Sequence, residues 1–95
     1  GVRTMLFVTT YKLKPHMTQE EVKGLMETFA TVGNAPGTVA HYVYADGGGG
    51  VVVTDSEDVA ANYRNTLSYT GWMELESKVV LTVEDAVPHI LDALD

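Results

Sequence analysis

The chain has 95 residues, 13 acidic against 6 basic side chains, a net charge of −7 and no cysteine. Without thiols it can build no disulfide framework, thiolate metal site or cysteine nucleophile. Six bases (Arg3, Lys12, Lys14, Lys23, Arg64 and Lys78) are too few to form a phosphate-neutralising face on so acidic a chain, which excludes nucleic acid as the expected partner.

Thr4 to Lys12 is rich in β-branched and aromatic residues and predicts a strand, closed by Leu13-Lys14-Pro15. Thr18-Gln19-Glu20-Glu21 fits a capping box, and Met17 with Val22 fits a hydrophobic staple. Val22, Leu25, Met26 and Phe29 recur at helical spacing, so one face of this helix is expected to pack inward, with Gly33-Asn34 and Pro36 ending it. Thr38 to Ala45 predicts a second strand. Asp46 and the four glycines Gly47 to Gly50 predict a turn, and Val51 to Thr54 a third strand, making an antiparallel hairpin. Asp55-Ser56 is the expected cap of a second helix whose buried stripe would be Val59, Ala60, Tyr63 and Leu67. Trp72 to Val83 predicts the last strand. A short terminal helix follows, with Val87, Ile90, Leu91 and Leu94 on one side and Pro88 in its first turn.

This order predicts one α+β domain over residues 1–95, ferredoxin-like β-α-β-β-α-β with a C-terminal helix. Gly1 is an unusual first residue, and Met5 is a candidate native start. No apolar run approaches the roughly 20 residues of a bilayer-spanning helix, and no export leader is evident, so a cytoplasmic location is expected.

Two helices can cover one face of such a sheet, and the other face should be polar if it meets water. Here Met5 and Phe7 alternate with Leu6 and Val8, Val51 to Val53 is continuous, and Val80 opposes Val79 and Leu81. Apolar residues on both faces predict a homodimer through the open face, or else a terminal helix folded across it.

His41 lies among Val39 and Val43 on an apolar strand face and is the candidate catalytic base, against a structural role as a half-buried histidine at the dimer seam. His16 and His89 read as surface residues, and the three histidines lack metal-ligand spacing, so no metal is expected. Thr9, Tyr11, Tyr42, Tyr63 and Trp72 are candidate ligand-binding residues, and core or interface packing would explain the aromatic ones equally well. Tyr44 and Tyr69 belong to the same aromatic set. Glu74 and Glu76 share one side of the last strand with Lys78, as an acid/base pair or as a solvated edge. The glycine run precedes a strand and has no nearby lysine, so it does not read as a phosphate loop.

Tyr11-Lys12-Leu13-Lys14-Pro15 resembles the aromatic-Lys-aliphatic-Lys-Pro start of many dimeric α+β barrel proteins, a superfamily that includes antibiotic-biosynthesis-monooxygenase-like domains. The Met-Leu-Phe start, Pro36-Gly37 before the second strand and Thr54-Asp55 after an apolar strand resemble small bacterial domains of the DUF3303 type. The resemblance implies a dimeric barrel with a cavity between sheet and helices. In cofactor-free quinone-forming relatives that cavity uses Asn, Trp, Tyr and Arg groups. Thr9 falls near the first-strand Asn of haem-degrading relatives, and no helical His stands in for their haem ligand, so no cofactor is implied. Three functions remain open: binding of a small apolar or aromatic molecule, a cofactor-independent monooxygenase or cyclase acting on an aromatic polyketide-like substrate, and a ligand-free interaction module with a filled core.

Overall fold

A computed structural model describes residues 5–95. The expected strand start at Thr4, with Gly1 and Arg3, lies outside the described residues. The order is β1 (Met5–Leu13), α1 (Gln19–Val32), β2 (Thr38–Val43), β3 (Gly49–Ser56), α2 (Val59–Leu67), β4 (Met73–Val80) and α3 (Val83–Leu94). The four strands form one antiparallel sheet in the order β2-β3-β1-β4, which with its helices is consistent with a ferredoxin-like fold.

Local chemistry sets the ends of the elements. Thr18 caps α1 as its sequence predicts: its hydroxyl accepts from Glu21 N at 3.1 Å, and Glu21 Oε1 accepts from Thr18 N at 3.2 Å. Lys14 pairs with the same Glu21 carboxylate and holds it below the usual carboxylate range, tying the strand exit to the helix start. Gly33, with φ of 69°, closes α1 by donating to the Phe29 carbonyl.

Several boundaries differ from the sequence expectation; β2 ends at Val43 rather than Ala45, and β4 spans Met73–Val80 rather than Trp72–Val83. Asp58 caps α2 in place of Asp55-Ser56, accepting from Ala61 N at 3.0 Å. Asp55 and Ser56 stay in β3, where they pair with Leu6 and Met5. The third helix begins at Val83 rather than near Val87, because Thr82 caps it by accepting from Asp85 N at 3.1 Å. Finally, β3 begins at Gly49, so half of the glycine run is strand rather than turn.

That last difference has a steric cause. Gly49 and Gly50 are buried and pair with Lys12 and Tyr11. A Cβ on Gly49 would overlap the Tyr11 carbonyl oxygen, and one on Gly50 would overlap the Tyr11 phenol and the Tyr42 carbonyl. Only residues without side chains let these strands close with the Tyr11 ring lying across them.

The core is small. Phe7, Leu25, Ala35 and Tyr69 are its buried apolar residues, with Thr9, Thr54 and Ser56 among them. Most of the expected inward stripe of α1 is uncovered: Val22, Met26 and Phe29 are all exposed. The expected stripe of α2 is likewise exposed at Val59, Tyr63 and Leu67, a correction to the sequence reading. Asn62, Asn65, Thr66 and Tyr69 face the sheet instead. Tyr69 Oη donates to the Gly33 carbonyl at 2.7 Å, and Asn65 Nδ2 does so at 3.3 Å. These bonds clamp the polar side of α2 onto the end of α1.

Gly49→Ala should therefore destabilise the chain by about 1–3 kcal/mol through overpacking against strand backbone. Gly71→Ala, where a Cβ meets nothing within 4 Å, should stay within about 0.5 kcal/mol. Urea unfolding midpoints of the two variants check both values.

Candidate functional site

Between the sheet and the two helices lies an open cleft of about 520 Å³, within the range of small-molecule sites. Its floor is the inner face of the strands, where Thr9, Tyr11, Val52, Thr54 and Leu75 alternate inward. Leu25, Met26 and Phe29 of α1 form one wall, and Asn62, Asn65 and Thr66 of α2 the other.

One chain of hydrogen bonds organises the polar end. His41 Nδ1 lies 2.9 Å from Asn34 Oδ1, and His41 Nε2 lies 2.8 Å from Tyr11 Oη. An amide oxygen only accepts, so Nδ1 carries the proton and donates to it. Nε2 is then bare and accepts from the Tyr11 hydroxyl. Each link fixes the next. Tyr11 and Phe29 both meet the imidazole edge-on, with centroids 5.6 and 6.0 Å away.

Burial lowers the His41 pKa from its ordinary 6.5, so the ring is neutral at pH 7. Burial, and secondarily the neighbouring Tyr44, raises Tyr11 above its ordinary 10.0, so the phenol keeps its proton. The Tyr11 proton is used by His41, which leaves the phenol oxygen's lone pairs as an acceptor in the cleft. A base role for His41 would have to pass through Tyr11, because the bare nitrogen is already occupied. Asn62, on the facing helix, makes no side-chain hydrogen bond among the described residues, and it offers both a donor and an acceptor.

Of the residues singled out from sequence, Thr9, Tyr11 and His41 come together here. Thr9 contributes floor: it is buried, and its hydroxyl is bonded to Ser77 Oγ at 2.7 Å. Tyr42 points to the opposite sheet face and is exposed, as is Tyr63 on the outer side of α2. Trp72 lies outside the lining, its indole over α1 where a Cβ on Gly24 would sit 3.5 Å from Cζ2. Glu74 and Glu76 are on the open face, where the exposed Glu76 pairs with the exposed Lys78 at 3.4 Å. Asn34, Asn62 and Gly50 were missed. Asn34 read as a helix stop and Gly50 as turn; the pairing of β3 with β1 reveals the role of Gly50, and the α1–β2 connection brings Asn34 to His41. Among the described residues, no group of three or more His, Asp or Glu side chains could hold a metal, and no helix is long and apolar enough to cross a membrane.

Sheet order, helix placement and cleft together define a small α+β protein of ferredoxin-like type. The chain belongs to the family described as Domain of unknown function (DUF3303), whose profile matches residues 5–94. Comparisons with curated proteins and with solved structures gave no match.

The neutral His41 makes a pH prediction. Its folded pKa lies below the unfolded value, so the unfolded chain binds that proton more readily. The stability it allows is present above pH 6.5 and falls as pH drops through 6.5 toward the depressed value. Between pH 7.5 and 5.0 the parent should lose more unfolding free energy than His41→Gln. Equal losses in urea titrations of the two proteins would contradict the assignment.

Proposed function

We propose that the protein binds a small, planar, mainly apolar molecule carrying a hydroxyl or amino donor, in the cleft between sheet and helices. The observation that carries this reading is the Tyr11–His41–Asn34 chain, which presents a fixed acceptor oxygen among apolar walls. A few positioned polar groups in an otherwise apolar concavity is the usual design of a small-molecule site. The apolar rings and side chains of Leu25, Met26, Phe29 and Leu75 supply affinity, Tyr11 Oη accepts from the ligand donor, and Asn62 reaches a second polar group. A ligand-free module would need Phe29, Met26 and Leu67 to fill this space. The first two line it without filling it, and Leu67 is exposed and outside the lining. Turnover of an aromatic substrate finds less support, since His41 meets Tyr11 rather than open cleft.

Calorimetric titration with 2-naphthol and naphthalene tests the reading. One added hydrogen bond should make 2-naphthol bind roughly tenfold tighter, and Tyr11→Phe should erase that difference. Equal affinity of the parent for both probes, or no binding of either, would sink it.

We also propose that the protein is a homodimer joined through the open sheet face. Leu6, Val8, Val51, Val53 and Val80 share that face with no described element over them. The surface of 6941 Å² is about 1,500 Å² above the roughly 5,400 Å² expected of a folded 10.3 kDa monomer. A standard interface removes about 800 Å² from each partner. Light scattering should give twice 10.3 kDa, and Val53→Lys should produce a monomer. A monomeric parent at every concentration would refute the dimer.

A further inference from the structure

Helix α3 follows β4 after two residues and leaves its large apolar side chains exposed. The chain measures 57 × 30 × 17 Å, with a radius of gyration of 16.0 Å against roughly 12 Å for a globular chain of this length. Along α3, Val83, Val87, Ile90, Leu91 and Leu94 fall within one arc at 100° per residue, and Ala86 and Ala93 widen it. Every one of the five is exposed, Val83 and Leu94 by 77% and 78%. The helix therefore does not fold across the open sheet face, which removes the monomeric arrangement that its sequence left open.

A helix of 12 residues is marginal in water by itself. Pro88 weakens this one further, since at the sixth helical position it removes one backbone hydrogen bond and crowds the Glu84 carbonyl. Strong N-terminal signals remain: the Thr82 cap, with Glu84 and Asp85 in the first turn. Such a segment keeps its helical form when its apolar arc is covered, and its own chain does not cover it.

We propose that α3 is an exchanged arm whose apolar arc packs on a second copy of the chain. The partner's identity rests on the dimer reading above, and two further observations favour it. The surface excess of about 1,500 Å² is more than the roughly 800 Å² that one standard interface uses per partner, so a sheet-face contact alone leaves room for a second contact with the same partner. The helix carries Glu84, Asp85 and Asp92, is followed by Asp95, and has no Lys or Arg. Helices that lie on membranes carry basic residues on their polar face, so this charge pattern disfavours a bilayer as the cover.

The test uses the full chain with Ile90→Glu and Leu91→Glu combined, followed by light scattering over a dilution series. Weakening of the dimer by at least a hundredfold, with unchanged Trp72 fluorescence as the folding control, is the expected result. A double variant that dimerises as tightly as the parent, while Val53→Lys is monomeric, overturns the arm and leaves the sheet-face dimer standing. A parent that is monomeric throughout overturns both. Hydrogen exchange on the unmutated chain gives a second measurement, with α3 amides protected when dimeric and exposed on dilution. Protection that persists in the monomer, or is absent from the dimer, overturns the proposal, as does monomeric binding to phosphatidylcholine vesicles through α3.

Discussion

A sheet of four antiparallel strands has two faces, and this chain supplies two helices to one of them. Both faces carry apolar residues, since Phe7, Val52 and Leu75 alternate with Val8, Val53 and Val80, although Glu74, Glu76 and Lys78 share the open face with the latter. Burying both would stabilise the fold by about 25 cal/mol for each Å² removed from water. The helices deliver only part of that on their own side. With Phe7 of the sheet, Leu25 and Tyr69 are the large side chains buried on that side, and the cleft between sheet and helices stays open. The small core, the open cleft, the bare sheet face and the free terminal helix all follow from one shortage of covering elements.

The cleft depends on a second constraint, the absence of side chains at two strand positions. Tyr11 must lie across β3 for its hydroxyl to meet His41 on β2, two strands away in the sheet order β2-β3-β1-β4. Gly50 stands directly beneath that crossing. Backbone pairing and the side-chain relay are thus one feature. The same residue that lets the hairpin close against β1 also sets the acceptor that a ligand would meet. A larger residue there would break a strand pair and redirect the phenol together.

Much of the fold was legible because its signals are local. The Thr18–Glu21 capping box lies within four residues, and the apolar alternation of β1 and β4 can be read along each strand. The side of a helix that meets the sheet was less legible. On α2 the apolar stripe of Val59, Tyr63 and Leu67 and the polar stripe of Asn62, Asn65 and Thr66 both have helical spacing, and Tyr69 just past the helix end lies on the polar side. Periodicity assigns the apolar stripe to the interior only when the interior is the largest apolar surface available. Here the Gly33 carbonyl decides the orientation, since it accepts from both Asn65 and Tyr69. That contact joins residues more than thirty positions apart, and no local pattern encodes it. The polar relay was half legible for the same reason. His41 and Tyr11 stood out by type, whereas Gly50 matters only through what strand pairing brings beside it, and Asn34 through the fold of the α1–β2 connection.

The outward stripe on α2 and the exposed arc on α3 then have a common meaning. A monomer that leaves Val59, Tyr63, Leu67, Ile90 and Leu91 in water forgoes burial worth about 1.5–3 kcal/mol for each large side chain fully covered. Net stabilities of 5–15 kcal/mol leave little room for several such omissions. The polar choice at the cleft wall is therefore intelligible only if the apolar stripes find cover elsewhere. Placing Asn62 and Asn65 inward gives the cleft its polar wall, and in the proposed dimer a second copy would cover the apolar arc of α3. The orientation of α2 therefore sets the polarity of the cleft and leaves Val59, Tyr63 and Leu67 outward, so cleft chemistry and uncovered apolar area are two sides of one helix.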